Sequence, residues 1–129
     1  MRPELSGRSL LAMNMEDRNP PLMSGVPELV ILSLLDDRAM YGYEIGQLLT
    51  HLSRAALNIG ESVLYPALHS LESRKLLRAR PIKVAGRVRI YYTLTARGHR
   101  RLARVSDEWR LLARGVEAIL RRKSSTMRP

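Results

Sequence analysis

The chain has 129 residues, with 22 lysines and arginines against 12 acids, a formal charge of +10 and no cysteine. That length suits one domain. The composition excludes disulfides, thiolate metal sites and thiol nucleophiles, and no apolar run approaches the roughly 20 residues of a membrane span. A small basic globular protein remains, cytoplasmic by default. Its natural partner is nucleic acid, because a duplex offers the densest fixed negative charge.

Residues 1–23 show no sustained period and contain Asn19-Pro20-Pro21, which blocks helix there, so a flexible arm is expected. Order begins at Ser24, placed to cap a first helix with Pro27 in its opening turn and Glu28 near the positive end of its dipole. Leu29, Val30, Ile31, Leu32, Leu34 and Leu35 leave almost no polar face, so this helix is buried, and Asp36-Asp37-Arg38 ends it. A second helix is predicted from Tyr41 to Leu52, with Tyr41, Ile45, Leu48, Leu49 and Leu52 on one stripe. After a loop over Ala55–Gly60, a third helix runs from Ser62 to Arg74. It turns Leu64, Ala67, Leu68 and Leu71 inward and Ser62, Tyr65, Pro66, His69 and Ser73 outward. Three short helices ending in one with a polar outer face make a helix-turn-helix.

A strand hairpin follows over Leu77–Leu94. Val88, Ile90, Tyr92 and Leu94 alternate with Arg89, Tyr91 and Thr93, and Gly86 supplies the turn. Thr95 caps a last helix over 96–122, where Leu102, Val105, Trp109, Leu112, Val116 and Ile119 repeat at 3, 4, 3, 4 and 3. That is a heptad seam, short for a free coiled coil but sufficient for a docked dimer helix. Residues 123–129 read as a disordered tail. The predicted fold is mostly α with a β-hairpin: a winged helix-turn-helix domain over 24–95 and a C-terminal dimerisation helix.

Between Ser73 and Ser106 stand eleven basic residues and no acid. A charge block inside folded structure is a surface for a polyanion, and a helix beside a basic hairpin is how a winged helix grips DNA. The third helix is the candidate reader of base edges, through Ser62, Tyr65 and His69. The plainer alternatives are a solvated helix face and, for Tyr65, a place in the core. Arg97, Arg100, Arg101 and Arg104 crowd the start of the last helix, where each cation opposes the dipole by about 0.3–1 kcal/mol. An anion such as DNA phosphate would offset that conflict; otherwise salt screens it. Catalysis finds no support, since His51, His69 and His99 lie on three elements without metal-ligand spacing, and no phosphate-binding glycine loop is present.

Tyr41-Gly42-Tyr43-Glu44-Ile45, then Leu64-Tyr65-Pro66-Ala67-Leu68 with Leu71-Glu72, then Tyr91-Tyr92-Thr93-Leu94-Thr95 with Gly98, resemble the three signature blocks of the PadR-like transcriptional regulators. Each block alone is weak; the ordered set spans Val26 to Ile119, and the single last helix is similar to the smaller PadR subfamily. The resemblance implies a bacterial winged-helix repressor, dimeric through its last helix and released from DNA by a small aromatic molecule. Two positions depart from the pattern: Lys75 stands where glycine is common after the third helix, and Ile90 stands where another cation is common. In drug-responsive relatives a tryptophan on the last helix stacks planar ligands, and Trp109 looks like its counterpart; the alternative is packing between protomers.

The expected partners are therefore double-stranded DNA with a palindromic operator, a second copy of the chain and a small aromatic effector, with no cofactor and no metal. Ser62, Tyr65 and His69 are expected to read bases, while Tyr41, Lys75, Lys83, Arg87 and Arg89 grip the backbone. Leu102, Val105, Trp109, Leu112, Val116 and Ile119 form the dimer contact, and Trp109 meets the effector. The rival reading is a non-specific nucleic-acid-binding or packaging protein.

Overall fold

A computed structural model describes residues 25–122, so the expected arm, the tail and the Ser24 cap lie outside the described residues. Helix α1 (Val26–Leu35) starts at Gly25 without a side-chain cap, has proline in its first turn, and buries Ile31, Leu32, Leu34 and Leu35. It is the central core element, and its continuous apolar surface is why: the other helices and the sheet all find an apolar face on it.

The chain then makes a strand that the sequence pattern does not announce. Met40–Tyr41 (β1) pairs antiparallel with Tyr92 and Tyr91. Tyr41 is thus extended, at φ −96° and ψ 165°, and α2 (Gly42–Leu52) begins one residue later than expected. Along α2 the apolar stripe buries Ile45 and Leu49, but Leu52 is 63% exposed because the last turn overshoots the core. In the following loop Arg54 and Ala55 take left-handed backbone (φ 55° and 66°), and the Leu57 N–H donates to the Ser53 hydroxyl at 2.9 Å.

Helix α3 (Glu61–Ser73) buries Leu64, Leu68 and Leu71 and carries Pro66 on its exposed side. Its end is a Schellman turn: the Leu76 N–H donates to the Leu71 carbonyl and the Lys75 N–H to the Glu72 carbonyl, both at 2.9 Å. Lys75 occupies the left-handed position of that turn, at φ 66°, so the chain keeps the glycine geometry without the glycine.

Strands β2 (Leu77–Val84) and β3 (Arg87–Leu94) form the hairpin, closed by Ala85 and Gly86 at φ 52° and 79°, the two positive φ values of a type I′ turn. The sheet order is β1-β3-β2, which leaves β2 on an edge where Pro81 removes no ladder hydrogen bond that the sheet needs. Helix α4 (Ala96–Arg121) is capped by Thr95, whose hydroxyl accepts from the Gly98 N–H at 3.0 Å and donates to the Lys75 carbonyl at 2.7 Å. A β-carbon at Gly98 would collide with the Leu76 carbonyl oxygen, so this glycine lets α4 start directly on the Schellman turn. The first half of α4 packs on α1 through half-buried Leu102 and Val105; the second half packs on no other element among the described residues.

Candidate nucleic-acid interface

On α3 the exposed row is Ser62, Pro66, His69 and Ser73, spaced by whole turns. Tyr65 is not part of it. Its ring lies across the backbone of Gly42, where a β-carbon would come within 2.6 Å of the ring and the hydroxyl oxygen, and the side chain is half-buried against the core. The glycine of α2 and the tyrosine of α3 thus lock the two helices together. Burial, then the proximity of Glu72 and Tyr65, raises the phenol of buried Tyr92 above its usual value.

The hairpin register sorts the cations. Residues directly opposite across an antiparallel pair share a face. Arg78 faces Thr93, Arg80 faces Tyr91, Ile82 faces Arg89 and Val84 faces Arg87, so Arg78, Arg80, Arg87 and Arg89 stand on one side. Tyr41, paired with Tyr91, extends that side. The Arg89 guanidinium sits 4.4 Å from the centroid of the Tyr41 ring, which in turn lies 5.4 Å from the Tyr91 ring. This stacking holds one arginine in place before any ligand arrives. Exposed Tyr43 joins Tyr41, Arg87 and Arg89 around a surface notch of about 400 Å³.

The five residues expected to grip the backbone therefore occupy three places. Tyr41, Arg87 and Arg89 come together at the notch. Lys83 lies opposite Val88, on the other face of the hairpin. Lys75 lies at the end of α3, where it lines a separate cleft with Arg74 and the arginines of α4. Arg78 and Arg80 belong with the notch side and were not among the expected contacts. Counting back from the two-residue turn at 85–86 finds both. Apart from Lys83 the hairpin's other face is apolar, yet only its base is covered: Tyr92 is buried, while Ile90 is 43% and Val88 65% exposed, because no described helix reaches beneath the outer half.

On α4, Leu102 and Val105 serve the chain's own core, so the seam that remains open begins at Trp109. Trp109 is 44% and Leu112 56% exposed, followed on the same face by Val116 and Ile119. Trp109 stands between two grooves of the α1–α4 junction, one of about 530 Å³ reaching His99 and one of about 290 Å³ reaching Val26 and Leu112. Among the described residues no three His, Asp or Glu side chains are grouped to hold a metal, and no helix is long and apolar enough to cross a membrane.

The profile of the transcriptional regulator PadR-like family matches residues 31–104, from inside α1 through the hairpin into α4. A PadR family transcription regulator from a hypervirulent Clostridium difficile superposes with a TM-score of 0.65 at 30% identity, over 74% of this chain and 99% of that one. A PadR-like transcriptional regulator from Bacillus cereus gives 0.70 at 25% identity, over 80% and 99%. A protein from Lysinibacillus sphaericus is 30% identical over 89 residues, 68% of this chain and 82% of its own. These similarities run through the helix-turn-helix, the hairpin and the start of the last helix together, and this chain belongs to the PadR-like family of transcriptional regulators.

Proposed function

We propose that the protein is a cytoplasmic, homodimeric repressor that binds a palindromic DNA operator and is released by a small aromatic effector. The observation that carries the DNA-binding part is the shared face of Arg78, Arg80, Arg87 and Arg89, with Arg89 braced on Tyr41, beside the open polar row of α3. In this reading Ser62 and His69 read base edges, and Tyr41, Arg87 and Arg89 grip phosphates, with Lys83 reaching the backbone from the hairpin's other face. Tyr65 acts from behind the reading row by holding α3 on α2. The exposed strip Trp109, Leu112, Val116 and Ile119 supports dimerisation, since apolar residues at heptad spacing gain by pairing with a second copy. Trp109, bordering two grooves, is the effector's stacking partner.

Selecting duplexes from a random pool in the presence of a competing polyanion tests this. An enriched palindrome with half-sites about one helical turn apart is expected. Tight binding with no enriched sequence would favour the rival, a non-specific packaging protein, which needs cations alone.

A further inference from the structure

At the base of the hairpin six cations converge: Arg74 and Lys75 from the end of α3, and Arg97, Arg100, Arg101 and Arg104 from the start of α4. They line an open cleft of about 770 Å³. Its floor is the Schellman turn, tied to α4 by the Thr95 hydroxyl and by the close approach of Gly98 to Leu76. The geometry is therefore fixed by backbone contacts, not by the long side chains themselves.

Glu28 bonds both Arg101, at 2.5 Å, and Arg74, at 3.1 Å, while Glu108 reaches Arg104 at 3.6 Å. Among the described residues no carboxylate meets Lys75, Arg97 or Arg100. Among the described residues six cations against two carboxylates leave four positive charges in excess, and the first turn of α4 adds its dipole without a single acid. Such an arrangement repels itself until an anion enters.

A duplex seated on the exposed row of α3 would meet the cleft only at its Ser73 rim. The cleft sits at the strands' base, and eight residues of strand put it about 26 Å from the hairpin tip. On α3, Arg74 lies about 120° around the helix from Ser62 on the reading row. A single phosphate, carrying about 1.5–2 negative charges, would leave about half of the excess unmatched. Among the described residues no aromatic side chain lines the cleft to select a nucleobase.

We propose that this cleft binds an oligophosphate, a chain of three or more linked phosphates either free or carried by a nucleotide. The bound chain bridges Lys75 on the end of α3 to Arg97 and Arg100 on α4, and so stiffens the joint between the reading helix and the last helix. This inference is independent of the DNA-binding reading.

The test is calorimetric titration of the full-length protein with inorganic tripolyphosphate, pyrophosphate and orthophosphate at matched ionic strength. One saturable site per chain is expected, tighter for each added phosphate. Arg97→Gln with Arg100→Gln should weaken tripolyphosphate binding about tenfold or more, since charge-assisted contacts to both are lost. Arg87→Gln with Arg89→Gln, on the hairpin's outer half, should leave that binding unchanged. Both Arg97 and Arg100 are exposed among like charges, so the melting temperature should hold or rise; Lys75→Gln provides a second, single-site reading if it falls. Equal weakening by the hairpin pair, or no gain from pyrophosphate to tripolyphosphate, would reduce the cleft to general polyanion attraction and overturn the proposal. So would an Arg97/Arg100 variant that keeps its tripolyphosphate affinity but loses affinity for DNA, because the cleft would then be a backbone contact.

Discussion

Replacing Lys75 with glycine should make the protein more stable, although it deletes a side chain. Lys75 holds φ 66° inside a turn whose two hydrogen bonds, to Leu71 and Glu72, leave it no other conformation. A β-carbon in left-handed backbone costs about 1–2 kcal/mol. Glycine removes that cost but widens the unfolded ensemble, which returns about 0.5–1 kcal/mol. The net gain is about 0.5–1 kcal/mol, or roughly 2–6 °C in melting temperature for a domain of this size. A second effect has the same sign: Lys75 also leaves a cluster of five other cations. Lys75→Ala separates the two, since alanine removes the charge and keeps the left-handed strain. Thermal melts followed by circular dichroism, at one protein concentration and at low and high salt, give the comparison. Lys75→Gly should exceed Lys75→Ala by about 0.5 kcal/mol or more at both salt concentrations. Equal stabilisation by the two variants would show that repulsion, not backbone strain, is what Lys75 costs.

Glu28 gives a pH signature: burial pushes its carboxyl up, but hydrogen bonds from Arg101 and Arg74 outweigh this and hold it below its ordinary value of 4.5. Its stabilisation is complete above that ordinary value and is lost as pH falls through the lower, folded one. Glu28→Gln should therefore cost about 1–2 kcal/mol at neutral pH and nothing in strong acid, and a difference that persists in acid would contradict the assignment. Leu112→Glu sets like charges into the open seam of α4, so sedimentation should find monomers; a dimer with unchanged melting would show that the strip is not the contact. Arg89→Ala should weaken binding to every duplex alike and lower the salt slope by about 1, whereas His69→Ala should erode discrimination between operator and random DNA; equal loss of both quantities in both variants would refute that division. Planar aromatic cations and phenolic acids should quench Trp109 fluorescence saturably, and less so with operator present; no saturable quenching across a broad panel would leave Trp109 a packing residue.

The helices were legible because apolar spacing alone distinguishes α2, α3 and α4. The hairpin was legible because two residues at 85–86 reverse the chain between β-rich runs. β1 was not, since a two-residue strand has no period and exists only by pairing with Tyr91 and Tyr92. Alternation told which face of the hairpin is apolar but not how far the helices reach beneath it, which is why Val88 and Ile90 turned out exposed. Tyr65 sits near the border of two helix faces, and its inward turn depends on the absent side chain of Gly42, a contact between elements. The basic block looked continuous along the chain. Folding divides it between the hairpin's two faces and the cleft at its base, because successive strand residues point apart and the Schellman turn redirects the chain.

The half of α4 beyond α1 has a mechanical consequence. From Trp109 to Arg121 the helix continues for about 18 Å beyond its last footing on α1. It is a lever whose fulcrum is the junction beside Trp109. A tilt of about 10° there displaces the far end by about 3 Å, close to the separation of neighbouring base pairs along a duplex. In a dimer joined along the free halves, the same tilt in both protomers changes the span between the two reading helices by a comparable amount. A molecule wedged at the fulcrum would then need to shift its immediate neighbours only slightly for the two heads to fall out of step with successive turns of DNA.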